Sequence, residues 1–157
     1  MPAVQVLEGN MAKYNLKERK ERNAAYRSMV RAEVVEDLYE KILRELVANK
    51  KYKDPNYSAK KLAEELNTNT RYISAVVNIR FRKNYSSVVN EYRIKDAQYL
   101  LADKHYKDRT MAEIAAMVGF SNRQSFYASF YRFVGTTPRV YRVTAQAAMR
   151  KQEEDPK

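Results

Sequence analysis

Cysteine is absent from this chain, which excludes a disulfide framework and any thiolate metal site. Histidine occurs once, at His105, so a Ser–His or Cys–His catalytic pair would have to be built on that residue. It lies in the polar run Asp103-Lys104-His105-Tyr106-Lys107-Asp108, read as an exposed loop without partners for a metal or for general-base work. The three glycines, Gly9, Gly119 and Gly135, share no loop, which rules out a glycine-rich phosphate cradle. No apolar run approaches the roughly 18 residues that a membrane span requires. Residues 1–10 lack the basic-then-apolar order of a signal peptide. No metal and no cofactor is expected, and the chain is expected to be cytoplasmic.

What is present is positive charge. The 157 residues carry 30 Lys and Arg against 19 Asp and Glu, a net charge of +11. A balance of this size favours a polyanionic partner, nucleic acid first and an anionic membrane surface second. Hydrophobic residues make up 45% of the chain, enough for a core.

Glycine and proline are rare enough to act as punctuation. Neither occurs between Asn10 and Asp54. Within that stretch, Glu33 to Asn49 places Val34, Leu38, Ile42 and Leu46 four apart, beside Val35, Tyr39 and Leu43, and so predicts an amphipathic helix. Upstream, Lys13 to Arg31 reads as a basic arm, partly helical or disordered. Ser58 can cap a short helix, Ala59 to Leu66. The run Asn67-Thr68-Asn69-Thr70 is a turn with a new cap, and a helix follows over about Arg71 to Phe81. A longer helix is expected from Ser86 to Ala102.

Thr110-Met111-Ala112-Glu113 is a capping box opening Met111 to Val118, with Gly119 suited to the left-handed residue that ends it. Ser121-Asn122-Arg123-Gln124 reads as a second capping box, opening a helix to Val134 that Gly135 ends. Thr137-Pro138 caps a last helix. This helix is expected to fade after Met149, leaving 148–157 as a disordered tail. The expectation is an all-α chain of about seven helices without strands. Residues 1–32 form an arm, and 33–147 the domain.

Two segments carry the function. Lys61-Leu62-Ala63, Leu66, Ile73 and Val77 repeat as Glu113-Ile114-Ala115, Val118, Phe126 and Phe130, at an offset of 52 to 53 residues. Each is a helix-turn-helix pattern, with an alanine at the crossing and an apolar pair seating the second helix. Phe120, Phe126 and Phe130 are expected in the core. The second helices lie in stretches without acids, between Glu65 and Glu91 and between Glu113 and Glu153. Proximity to phosphate demands this, because a carboxylate there would repel the DNA backbone.

On the first of these helices Arg71, Ser74, Ala75 and Asn78 are expected to face outward. Arginine grips guanine and asparagine adenine, and an alanine can touch a thymine methyl. On the second, the outward residues are Arg123, Gln124, Tyr127 and Ala128. Arg80, Arg82, Lys83, Arg132, Arg139 and Arg142 are phosphate candidates, Arg142 with a structural role as the alternative.

The segment Ala115 to Phe130 contains Gly119-Phe120-Ser121, Phe126 and Phe130. Gly135-Thr136-Thr137-Pro138 with Tyr141-Arg142 follows, and Tyr92-Arg93-Ile94 with Ala97, Leu100 and Leu101 precedes. This pattern resembles the C-terminal signature of the AraC/XylS transcription regulators, over about residues 36 to 142. One departure stands out: the glycine that ends the first recognition helix in the family is Arg82 here, which predicts a reshaped helix end. The resemblance implies two recognition helices in successive major grooves, and it points to the same readers with Ser125 added. A linker helix of about 17 residues spans on the order of 26 Å, against a groove repeat of about 34 Å, so the DNA is expected to bend.

The expected activity is sequence-specific binding of double-stranded DNA to regulate transcription, with RNA polymerase as a protein partner, by a monomer or weak dimer. The alternative is a non-specific architectural or nucleoid DNA-binding protein. RNA binding fits the charge, but no single-strand platform is evident. An enzyme built on carboxylates alone has only Glu64-Glu65 and Glu153-Glu154-Asp155 to draw on. The 32 residues before the first domain helix are too few for a sensor domain. The chain is therefore expected to be either a self-standing regulator or a piece of a longer protein.

Overall fold

A computed structural model describes residues 16–22 and 31–155. The expected arm falls partly outside these residues. Among the described residues there are eight α-helices and no strand. They are α1 (16–22), α2 (Ala32–Leu43), α3 (Ala59–Glu65), α4 (Thr70–Phe81), α5 (Tyr85–Ala102), α6 (Met111–Val118), α7 (Arg123–Val134) and α8 (Pro138–Glu154). None of them is long and apolar enough to cross a membrane.

The chain divides into two compact units. One takes the described residues up to Lys41 with Ala59–Tyr85; the other takes Ile42–Ser58 with Ser86 onward. In the first, Val35 and Leu38 of α2, Leu62 and Ala63 of α3, and Ile73, Val76 and Val77 of α4 are buried. Tyr39 meets Phe81 with ring centroids 5.5 Å apart. Val34, expected on the apolar stripe, is exposed, because the stripe is centred one residue later.

The second unit begins where α2 widens. Over Arg44–Ala48 the helix takes a broader turn, and the Asn49 N–H reaches the Arg44 carbonyl five residues back (2.9 Å). Left-handed Lys50 (φ 53°) then ends it. The core of this unit joins Ile94, Ala97 and Leu101 of α5 to Met111, Ile114, Ala115 and Val118 of α6 and to Phe120, Phe126 and Phe130. The phenylalanines are core, as expected.

The last helix does not fade at Met149. It continues to Glu154, where Glu153 pairs with Lys104 (3.0 Å). Ala147 to Glu154 contains good helix formers and nothing that breaks a helix before Pro156. Polar composition alone suggests disorder here, whereas propensity and one ion pair favour helix.

Candidate nucleic-acid interface

Each unit contains a short helix, a tight turn and a second helix, built by the same devices. In the first, α3 ends at left-handed Asn67 (φ 54°). Asn69 then caps α4, its Oδ1 accepting the Tyr72 N–H at 3.0 Å. In the second, Thr110 and Glu113 form the expected reciprocal box. The Glu113 N–H donates to Thr110 Oγ1 (3.1 Å), and the Thr110 N–H donates to Glu113 Oε2 (2.8 Å). That backbone donor holds the Glu113 carboxyl below the usual glutamate range. Gly119 (φ 108°) closes α6.

The cap of α7 differs from expectation. It is Asn122, not Ser121, whose side chain accepts the Ser125 N–H (2.8 Å). Asparagine competes well for this position, and the one-residue shift places Gln124 in the first turn, exposed, rather than in a reciprocal box.

A buried arginine fixes the α6–α7 turn. Arg93, only 9% exposed, donates from Nε to the Tyr52 carbonyl (2.6 Å) and from Nη2 to the Asp54 carbonyl (3.0 Å). Its guanidinium lies 5.5 Å from the centre of the Phe120 ring. Gly119 sits against the same backbone. A Cβ there would stand 2.6 Å from the Tyr52 oxygen and 2.8 Å from that of Lys53. Tyr52 in turn donates its hydroxyl to Asp96 Oδ2 (2.6 Å). Burial first, and then this acceptor, push the phenol above the ordinary tyrosine range. The motif residue Arg93 was legible in the sequence; its role as a buried pin was not, since its acceptors are backbone carbonyls some 40 residues away.

On α4, Arg71 is exposed and Ser74 and Asn78 are half-buried. Ala75 is 0% exposed, which removes it from the reading face: its methyl packs in the core of the unit and is closed to a base. The acid-free stretch is also less isolated than its sequence suggests. Arg80 pairs with Glu36 of α2 (3.1 Å) and lies over the Tyr39 ring (4.3 Å). Arg82 occupies the glycine position without reshaping it, in the left-handed region at φ 56° and ψ 29°. Its N–H still reaches the Asn78 carbonyl (3.0 Å), while its own carbonyl accepts from Arg19 Nη2 (3.2 Å). Its side chain is exposed, and that of Lys83 half-buried.

On α7, Arg123, Gln124, Ser125, Ala128 and Arg132 are exposed and Tyr127 is half-buried. Tyr127 organises its surroundings. The Arg123 guanidinium lies 5.6 Å from its ring centre, and its hydroxyl accepts from Arg139 Nε (3.1 Å). Arg139 follows Pro138 in the first turn of α8. Arg142 is not a free phosphate ligand: Nη1 donates to the carbonyls of Lys107 (3.2 Å) and Arg109 (2.6 Å). The structure favours the structural alternative for it. His105 is exposed, with Nδ1 beside Asp103 Oδ1 (2.7 Å). Among the described residues no acidic or histidine cluster is arranged to hold a metal.

Two tandem helix-turn-helix units with cationic and amide side chains on their second helices define a DNA-binding architecture. Residues 62–144 match the family described as a helix-turn-helix domain. The melibiose operon regulatory protein of Escherichia coli K12 is 27% identical over 85 residues, which is 54% of this chain and 27% of that protein. The chain thus spans about a quarter of the length of the curated relatives it matches. Among solved structures, it resembles the C-terminal domain of the two-component response regulator yesN from Fusobacterium nucleatum. The identity is 25% and the TM-score 0.58, over 66% of this chain and 98% of that one. It has the fold of the C-terminal domain of AraT, a response regulator from Geobacillus stearothermophilus (24% identity, TM-score 0.58, 66% and 84% covered). The chain belongs to the AraC/XylS family of helix-turn-helix DNA-binding domains.

Proposed function

We propose that the chain binds double-stranded DNA sequence-specifically and regulates transcription, placing α4 and α7 in successive major grooves. The observation that carries this reading is the exposed face of α7. Arg123, Gln124, Ser125, Tyr127 and Ala128 mix a cation, an amide, hydroxyls and a methyl, a variety that backbone binding does not require. Arg71, Ser74 and Asn78 supply the matching set on α4. Arg82, Lys83, Arg132 and Arg139 serve the phosphates, and Arg80 joins them when Glu36 releases it. RNA polymerase is the protein partner that such regulation implies, and the working state is a monomer or weak dimer in the cytoplasm.

Helix α5 has 18 residues, which is roughly 27 Å of rise against a groove repeat of about 34 Å. The proposed complex therefore bends its DNA.

Selection from a random duplex pool tests the reading. The expected winner has two short elements about one helical turn apart and binds about 10³-fold or more tighter than its scramble. Gel mobility of the winner with the site placed centrally and terminally reports the bend. No enriched element, with affinity following salt alone, would establish the architectural alternative instead.

A further inference from the structure

The second unit carries an open groove that shares no residue with the reading face of α7. It lies between the C-terminal end of α5, the turn after it and the distal half of α8, and encloses about 560 Å³. Gln146 ties its base together by donating from Nε2 to the Leu101 carbonyl (3.1 Å). Tyr99 and Met149 line it with 78% and 50% of their surface in water. Tyrosine and methionine are enriched at protein interfaces, where one supplies a rigid amphipathic ring and the other an adaptable apolar chain.

The rim sets the sign of the occupant. Its two acids are already engaged within the chain. Asp103 accepts the His105 N–H (2.9 Å), and Glu153 accepts from Lys104 Nζ (3.0 Å). Lys107 and Arg150 also line the groove, and neither side chain has an ion-pair partner among the described residues. Lys104, Lys107 and Arg150 thus face Asp103 and Glu153, which leaves the groove with an excess of one positive charge.

We propose that this groove docks an acidic, amphipathic segment of a partner protein. One aromatic or long aliphatic side chain of that segment covers Tyr99 and Met149, and its carboxylates meet Lys107 and Arg150. DNA phosphate matches the cations but not the floor, because a phosphodiester gains nothing from an exposed methionine.

The test is selection of a random twelve-residue phage-displayed peptide library on the full chain, followed by titration of the synthetic winners. Winners are expected to carry net negative charge around one large apolar residue. Their affinity should fall about tenfold or more in Tyr99→Ala and in Met149→Lys. Both side chains are half exposed or more, so these variants should keep the melting temperature of the parent. A double reversal, Lys107→Glu with Arg150→Glu, should abolish acidic winners while leaving affinity for a duplex unchanged. Three results would overturn the proposal: no winner sensitive to Tyr99 and Met149, equal binding of winners whose apolar anchor is replaced by serine, or a reversal that weakens duplex binding as much as peptide binding. The last would assign the two cations to phosphate.

Discussion

Gly119 shows how much a single missing side chain can hold in place. Its φ of 108° strains any other residue, and the Tyr52 and Lys53 carbonyls occupy the space a Cβ needs. Both obstacles are backbone, so neither can swing aside. Gly119→Ala is expected to cost about 3 kcal/mol or more, measured as a loss of urea stability. Arg82 is the reverse case, a left-handed residue that is not glycine. Arg82→Gly should stabilise the chain by about 1 kcal/mol, since the left-handed strain disappears. It should also lower the salt slope of DNA binding by about 1, since the proposed phosphate contact goes with the side chain. The two effects have opposite signs, so one variant separates stability from affinity. Arg123→Ala and Gln124→Ala should each cost about 1–3 kcal/mol on the selected site and relax preference at one base pair. A uniform loss over all sequences would make the residue a phosphate contact.

Helix boundaries were legible because the chain marks them with few, strong signals. Thr110 with Glu113, Gly119, Gly135 and Thr137-Pro138 each occupy the position expected from the sequence. Local hydrogen bonding decides such ends, and local sequence reports it. What stayed hidden depends on residues distant in sequence. Ala75 lies between Ser74 and Val76 on a helix with a wide buried face, and only packing shows that the burial extends that far. For Arg142 the sequence offered both a phosphate and a structural role, and only the carbonyl acceptors at Lys107 and Arg109 decide between them.

The box on α6 also has a pH signature. Glu113 titrates below its ordinary value of 4.5 because the Thr110 N–H prefers the carboxylate. Its stabilising contribution is complete above that value and is lost as pH falls through the lowered folded value. Glu113→Gln is therefore expected to flatten the acid limb of the stability curve by lowering stability at neutral pH, with little change once the pH is below the folded value. Thr110→Ala should cost about 1 kcal/mol at neutral pH, read from thermal unfolding.

For the molecule as a whole, the charge of +11 is unevenly available. Some of it is committed internally: Arg80 to Glu36, Arg93 and Arg142 to carbonyls. Affinity should follow the four phosphate candidates outside that set, Arg82, Lys83, Arg132 and Arg139, rather than the net charge, giving a slope of log affinity against log salt of about −3 to −4. Glu36→Gln should steepen that slope by freeing Arg80. The bond pattern around Arg93 bears on protein engineering. Its guanidinium and the bare face of Gly119 both close on the same backbone of residues 52–54, far upstream in the chain. A chimera that transplants only α6, its turn and α7 into another scaffold would import a lock without its key. The smallest portable reading module is discontinuous, pairing the 51–54 strap with everything from α5 through the start of α8.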